Sequence, residues 1–339
     1  MTHRVDFILP LPDDPAMSIF RCLIVLTCLL GATVHAEPPR STQDRIQELK
    51  RLILKQPKAG QSYLPAVEGN LEAADAPVLD ILKQLPGVIA VEMPIQVERP
   101  KHRIVHLKDW HYLPKDLFAA DIRDVQGEAI PDAEIDDLYE ELLLEVELVQ
   151  LEQMALLRCL IKHHGLKSVF CEGLTVEDLP AYEAKIKTLR KFESVTRKLE
   201  ELSESLARGG DDDLASNQLL RQIDEASREL RLLLLQIGAV GRLYLAGELE
   251  EVLPVDDAKL LKEANPLATD GKITLDVKVI EARQDAQVQA MIDHGPFALC
   301  ILGAAHDLAD NVERLAGGRC ELIVVETARV EEFSAKSDE

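Results

Sequence analysis

Basic residues are scarce in this sequence. Its 38 lysines and arginines stand against 60 aspartates and glutamates, which gives a formal net charge of −22 at pH 7. Nucleic acids and anionic membranes attract proteins that carry clusters of positive charge. The charge balance therefore argues against a general role in binding nucleic acid or a membrane surface.

The sequence also lacks the short motifs of several large enzyme classes. It contains no G-x-S-x-G nucleophile elbow, no H-E-x-x-H, no G-x-x-x-x-G-K phosphate loop, no C-x-x-C and no G-x-G-x-x-G. Each motif supplies a nucleophile, a metal ligand pair or a phosphate cradle at fixed spacing. Serine hydrolase, zincin, kinase and dinucleotide-dependent enzyme are therefore all disfavoured.

Long apolar runs are absent except near the start of the chain. The segment Cys22 to Val34 is almost wholly apolar, but it breaks at Gly31 and is followed by polar residues, whereas a membrane span needs ~20 apolar residues. Val34-His35-Ala36 has the small residues of a signal cleavage site. We therefore expect residues 1–36 to be a cleavable secretory signal and the protein to be exported, periplasmic or secreted; an uncleaved anchor is the alternative.

Two further details concern this signal. The segment before Met17 is acidic, whereas Met17 to Arg21 has the character of a signal start, so translation from Met1 and from Met17 both stay open. Cys28 follows Thr27 rather than the small residue that a lipoprotein signal requires. We therefore expect no membrane anchor after cleavage.

Four cysteines remain beyond the signal. Export would place Cys159, Cys171, Cys300 and Cys320 where disulfides can form, and four cysteines allow three pairings. Cys171 and Cys300 lie within apolar, strand-like runs, which favours buried free thiols.

Strands and helices alternate in two parts of the chain. The first part reads as a strand at 103–107, a helix at Asp132 to His164 and a strand at 167–171. The second reads as a helix at 279–294, a strand at 297–302, a helix at 308–315 and a strand at 321–325. This predicts an α/β fold with a largely parallel mixed sheet flanked by helices. Residues 99–178 and 246–339 would form its two halves, after an N-terminal helical and linker segment at 37–98.

The region between the two halves has a different pattern. Apolar residues recur at alternating spacings of three and four on both sides of Gly209-Gly210. This spacing is typical of helices that pack along a seam. We expect residues 179–245 to be an inserted antiparallel helical hairpin, which either packs its own seam or acts as a lid or as an arm that docks a protein partner.

Polar residues follow three of the predicted strands, and they are His106 with Asp109 to His111, then Glu172, then His306 with Asp307. Ligands of open α/β sheets bind beyond the carboxyl ends of the strands. Two imidazoles and one carboxylate suit a divalent metal with a coordination position left for water.

Each of these residues also has a purely structural interpretation. His106 would be a hydrogen-bonded core histidine, and His111 would stack near its aromatic neighbours. Glu172 would pair with Arg283, and His306 would cap the following helix.

The chain resembles the superfamily of Tiki and TraB proteins, ChaN haem-binding lipoproteins and erythromycin-esterase-like hydrolases. The resemblance is carried by Gly303-Ala304-Ala305-His306, by Phe170 to Leu174 around Glu172, and by Glu281 to Gln284 around Arg283. Lys108-Asp109-Trp110-His111 aligns with the family's G-E-x-H motif, with Asp for Glu and Lys for Gly. The resemblance spans roughly residues 104–325, interrupted by the hairpin.

What the resemblance implies differs between branches. Similarity to Tiki implies that His111, Glu172 and His306 bind a divalent metal and activate water for peptide hydrolysis, with His106 as an alternative first ligand. The ligand types themselves suit Mn, Co, Zn or Fe. Similarity to the esterases implies metal-free general base catalysis by histidine and glutamate, and Asp109 and Arg283 belong to the same motif set. Similarity to ChaN implies that His111 or His306 binds haem without catalysis. The expected ligand is therefore a peptide, an ester or haem.

Overall fold

The computed structural model describes residues 41–56, 66–73, 75–126, 129–209, 214–264 and 276–337. The expected signal at 1–36 lies outside the described residues, so export stays a prediction. Within these ranges, no helix is long and apolar enough to cross a membrane.

A six-stranded mixed sheet forms the centre of the molecule, as the sequence predicts. Its strands are β1 (Val88–Ile95), β2 (His102–Asp109), β3 (Ser168–Thr175), β4 (Glu251–Asp256), β5 (Phe297–Gly303) and β6 (Cys320–Thr327). Their spatial order is β1-β6-β2-β5-β3-β4. Only β1 is antiparallel to its neighbour, and the other pairs are parallel. The carboxyl ends of five strands therefore meet at one edge.

Helices cover both faces of this sheet. They are α1 (Thr42–Lys55), α2 (Val78–Leu82), α3 (Lys115–Gln126), α4 (Asp132–His164), α5 (Leu179–Gly209), α6 (Leu214–Ala246), α7 (Ala258–Glu263), α8 (Val277–His294), α9 (Ala309–Ala316) and α10 (Ala328–Ser337). One core layer packs α2, α4 and the end of α6 on one face, and a second packs α8 and α9 on the other. Strand β5 is buried along nearly its whole length, as expected for a strand covered on both sides.

The long helix α4 follows its predicted bounds. It buries apolar residues along its length, against the sheet near its end and against other helices before that, and it ends where Gly165 adopts a left-handed conformation with φ of 74°. The N–H of Gly165 donates to the carbonyl of Leu160, which satisfies one of the carbonyls left open at a helix end. This helix connects β2 to β3.

The segment 37–98 contributes more than a linker. Strand β1 hydrogen-bonds along β6 and forms one edge of the sheet. Helix α1 begins after Ser41, whose hydroxyl accepts from the N–H of Asp44, and buries Ile46 and Leu49. The patterns in the sequence do not predict β4, α3, α7 or α10.

The predicted helical hairpin is present as α5 and α6. Ile186 and Leu189 of α5 pack against Ile237 of α6, and the side chain of Lys185 reaches across to Gln236. Gly238 interrupts α6 with φ of 69° and ψ of −177°. Nothing lies within 4 Å of the position that a β-carbon of Gly238 would occupy. The positive φ, rather than close packing, therefore favours glycine at this position.

The four cysteines in the described chain are free thiols. Burial raises the pKa of Cys171 and of Cys300 above the ordinary thiol value. Both thiols are therefore held in the neutral form, which is a poor nucleophile.

Candidate functional site

The site lies at the carboxyl edge of the parallel strands, where Asp109 ends β2 and Gly303 ends β5. These two residues are register partners in the sheet, and the N–H of Ala304 donates to the carbonyl of Asp109. The loops after β2 and β5 consequently begin side by side. They carry His111 and His306.

Glu172 reaches the same place from β3. The pairing of β3 with β4 follows a regular register up to Cys171 and resumes at Thr175, so Glu172 lies in an irregular stretch. Gly173, at φ of 75°, allows this bend. Such an irregularity re-aims a side chain that a regular strand would place elsewhere.

Four donors surround the carboxylate of Glu172. Oε2 lies 2.8 Å from Nε2 of His111 and accepts a 2.7 Å hydrogen bond from the N–H of Gly303. Oε1 lies 3.0 Å from Nε2 of His306 and accepts from Nη2 of Arg283 at 3.3 Å. The predicted residues His111, Glu172, His306 and Arg283 therefore converge, with Glu172 at the centre.

His111 lies between two carboxylates. Its Nδ1 is 2.7 Å from Oδ2 of Asp109, and its Nε2 faces Glu172 on the other side. Carboxylates only accept hydrogen bonds, so both ring nitrogens must donate. The arrangement therefore corresponds to an imidazolium, stabilised by a negative charge at each end.

His306 has a different environment. Nε2 of Gln284 lies 3.4 Å from its Nδ1, so the carboxamide donates to that nitrogen and Nε2 carries the proton directed at Glu172. The His306 side chain is 0% exposed, compared with 12% for His111. Only His111 of the two imidazoles is accessible to a substrate.

Arg283 is held by a second acid, Asp256, at the end of β4. Nε and Nη2 of Arg283 donate to the two oxygens of Asp256 at 2.6 and 2.9 Å. Gln287 and the N–H of Gly173 also donate to Asp256, at 2.9 and 2.7 Å. This buried carboxylate therefore fixes the guanidinium that contacts Glu172 and, through Gly173, the bend in β3.

Asp109 is anchored from helix α4. Nε2 of Gln153 donates to its Oδ1 at 2.8 Å, and the other oxygen contacts His111. Asp109 thus orients the imidazole and is itself oriented by a buried carboxamide.

These contacts set the charge of Glu172. Burial alone would raise the pKa of this carboxyl group, but His306, Arg283 and the N–H of Gly303 outweigh burial and hold the pKa well below its ordinary value. For Arg283, burial lowers the pKa, but the contacts with Asp256 and Glu172 outweigh it and the pKa is raised. Both groups remain charged at neutral pH.

His106, the alternative first ligand, takes no part in this cluster. It is a buried core residue whose Nε2 lies 3.3 Å from the carbonyl of Leu302. Burial, followed by the effect of nearby His306, lowers its pKa to about 4. The structural interpretation of His106 therefore holds, and His111 is the histidine that meets Glu172.

Four residues of the site are not among those predicted from the sequence: Asp256, Gln153, Gln284 and Gln287. Asp256 ends the apolar run 252–255, but that run contains Pro254, which is unfavourable in a central strand. Strand β4 lies at the edge of the sheet, where proline is tolerated. Gln287 lies four residues after Arg283 on the same helix, and this spacing was the available signal for it, whereas Gln284 directly follows Arg283 within the motif around that residue.

The donor types of the site suit a divalent metal, but their arrangement does not. Both Nε2 atoms point at a carboxylate that already accepts from Gly303 and from the guanidinium of Arg283, which would lie beside any cation bound there. Among the described residues, no group of three or more His, Cys, Asp or Glu side chains is placed to hold a metal ion. We assign no step to a metal.

Comparison of the chain with protein-family models, with curated proteins and with solved structures gives no match. The resemblance to the Tiki, ChaN and erythromycin-esterase-like superfamily therefore stays a prediction from the motifs.

Proposed function

We propose that this protein is an exported hydrolase of carboxylic ester or peptide bonds that activates water with an imidazole flanked by carboxylates. The observation that carries the proposal is the position of His111, whose ring nitrogens lie 2.7 and 2.8 Å from Asp109 and Glu172 at the carboxyl edge of the sheet. General acid and base groups of this kind contribute on the order of 10²–10⁴-fold to a rate.

His111 is the residue that exchanges protons with substrate. It is the only accessible imidazole of the pair, and Asp109 holds its Nδ1–H, which leaves Nε2 as the reactive nitrogen. An acid that orients a histidine and stabilises the imidazolium is the arrangement used in serine hydrolase triads.

The reaction begins when the imidazolium of His111 releases its Nε2 proton to solvent as substrate and water enter, and the neutral Nε2 then turns from Glu172 to the water. The water oxygen attacks the carbonyl carbon as its proton passes to Nε2. The tetrahedral intermediate then collapses, and the same proton moves from Nε2 to the departing alkoxide or amine. The two products are a carboxylic acid and an alcohol or amine.

Glu172 acts through charge rather than by proton transfer. Proton abstraction produces an imidazolium, and the negative carboxylates of Asp109 and Glu172 stabilise that state. Arg283 and His306 keep Glu172 ionised and in place. They are positioning residues, and Asp256 positions Arg283 in turn.

The test is hydrolysis of 4-nitrophenyl acetate and of a fluorogenic peptide library by the purified protein. We expect the His111→Ala variant to lose activity by about 10²–10⁴-fold, because it lacks the proton acceptor. His294→Ala is the matched control, since His294 is an exposed histidine at the end of α8, next to the amino end of β5. Its activity should equal that of the unaltered protein.

Two outcomes would overturn the proposal. Equal activity in His111→Ala and the unaltered protein would remove His111 from the mechanism. Loss of activity on chelation, restored by Mn, Co or Zn, would assign water activation to a metal. The haem-binding hypothesis is checked separately by titration with haemin, where a Soret band would support it, and the partner-docking hypothesis stays a prediction.

A further inference from the structure

Lys185 is a part-buried cation at the base of the helical hairpin. Its ammonium group donates to Oε1 of Gln236 at 3.1 Å, a neutral acceptor on α6. Burial lowers its pKa. Among the residues that the structure describes, no carboxylate lies within ion-pair distance of Lys185.

Other part-buried basic residues of this acidic chain do face carboxylates. Lys108 contacts Glu326 at 3.2 Å and Arg158 contacts Glu248 at 2.8 Å, and the side chains of both pairs are between 19% and 28% exposed. A buried cation without a counter-ion is costly, and it stays in place where a ligand supplies the negative charge. Acidic residues are abundant in this sequence, so the absence of a carboxylate beside Lys185 among the described residues is informative.

The position of Lys185 connects it to the candidate site. The Gln236 carboxamide that accepts from Lys185 also donates from Nε2 to the hydroxyl of Tyr112 at 3.5 Å. Tyr112 directly follows His111 in the loop after β2, and its hydroxyl also accepts from Tyr139 at 3.3 Å. Two side chains therefore bridge the ammonium group to the loop that carries the proposed acid and base.

We propose that Lys185 is a specificity residue that binds a carboxylate of the substrate, so that the protein selects acidic substrates. The proposal rests on the hydrolase function proposed above. A substrate would place its scissile carbonyl at His111 and a carboxylate at Lys185, so that the ammonium group would gain a charged partner. The hydrogen bond between ammonium and carboxylate is stronger than the one that Lys185 makes to the amide of Gln236.

The kinetic test uses two 4-nitrophenyl esters of adipic acid that differ at the far end, one with a free carboxylate and one with a carboxamide. We expect the purified protein to prefer the carboxylate ester. Lys185→Met should raise KM for that ester by about tenfold or more and leave KM for the carboxamide ester unchanged. Lys185→Arg should restore the preference, because it restores the charge.

Lys187→Met is the matched control, since Lys187 is exposed on the same helix two residues away. Its preference between the two esters should equal that of the unaltered protein. If Lys185 only packs the hairpin, Lys185→Met should change KM by the same factor for both esters. That outcome would overturn the proposal. Hydrolysis of both esters with no preference for the carboxylate ester would also overturn it.

Calorimetric titration with adipate and with adipamide separates this proposal from the hydrolase proposal. The protein could bind adipate, lose that binding in Lys185→Met and still hydrolyse neither ester. This result would support the carboxylate subsite and contradict the hydrolase function. Hydrolysis of both esters with no adipate binding would support the hydrolase and overturn the subsite.

Discussion

The ring of His111 lies directly against the backbone of Gly303. A β-carbon on residue 303 would lie 2.7 Å from Nε2 of His111 and 3.6 Å from Oε2 of Glu172. Any side chain at this position would therefore occupy the space of the imidazole. The glycine at the end of β5 is required because the site is built in contact with the strand itself.

The first prediction is that Gly303→Ala displaces His111 and lowers hydrolysis by about 10²-fold, because a shift of about 1 Å in a catalytic group has that effect. The hydrolysis rate is the measurement. Trp110, the only tryptophan of the chain and the residue before His111, should report the displacement as a change in fluorescence.

Gly295→Ala is the control, since nothing lies within 4 Å of the position that its β-carbon would take. It should keep both the rate and the fluorescence. A fully active Gly303→Ala variant would mean that the imidazole functions in another orientation.

The second prediction concerns the buried pair of Asp256 and Arg283. Removal of one partner from a buried ion pair leaves an uncompensated charge, which costs about 3–5 kcal/mol. We expect Asp256→Ala to lower the free energy of unfolding by about that amount, as measured by urea denaturation. Activity should fall as well, because Arg283 holds Glu172.

The adjacent Asp257 gives the comparison. Its side chain accepts from the N–H groups of Lys259 and Leu260 and caps the short helix α7. Loss of such a cap costs about 1 kcal/mol. Equal losses in Asp256→Ala and Asp257→Ala would mean that the buried pair contributes no more than a helix cap.

Much of the fold could be predicted from the sequence because the parallel strands and long helices leave strong patterns. The run Phe297 to Leu302 is apolar throughout, and α4 carries a helical pattern closed by Gly165. Strand β4 left no such signal, because its run is short and contains Pro254. Its position at the edge of the sheet depends on the packing of distant segments, which local sequence does not encode.

The candidate site was only partly predictable for a related reason. The motifs placed His111, Glu172, Arg283 and His306 at strand ends or on a helix, and the structure brings all four together. The choice between His106 and His111 needed the register of β2, which buries His106 at mid-strand.

The third prediction concerns His106 and pH. Its pKa of about 4 in the folded protein lies below the ordinary 6.5, so the unfolded chain binds a proton more readily than the folded protein does. Its effect on stability is therefore constant above pH 6.5, and stability is lost as pH falls from 6.5 towards 4. The loss amounts to about 3 kcal/mol.

Urea denaturation of the unaltered protein and of His106→Met between pH 7 and pH 4 measures this contribution. Methionine has a similar volume and does not titrate, so the difference between the two curves isolates the histidine. The variant should be less sensitive to acid by about 3 kcal/mol across that range. Parallel curves would show that His106 is not the residue that takes up the proton.

The last prediction concerns Tyr182 at the base of the hairpin. Its hydroxyl is buried and has no hydrogen-bond partner among the described residues, and burial raises its pKa well above the ordinary value. The oxygen faces Gly241 of α6, where a β-carbon would collide with it. Because an unsatisfied buried hydroxyl is destabilising, Tyr182→Phe should raise the free energy of unfolding by about 1 kcal/mol.

Tyr139→Phe should have the opposite effect, because the hydroxyl of Tyr139 donates to Tyr112 at 3.3 Å. Its loss leaves a hydrogen bond unmade and should cost about 1 kcal/mol. Thermal denaturation of both variants beside the unaltered protein measures the contrast. If Tyr182→Phe is destabilised as much as Tyr139→Phe, the hydroxyl of Tyr182 is hydrogen-bonded in solution, and the close approach of α5 to Gly241 serves a polar contact rather than packing alone.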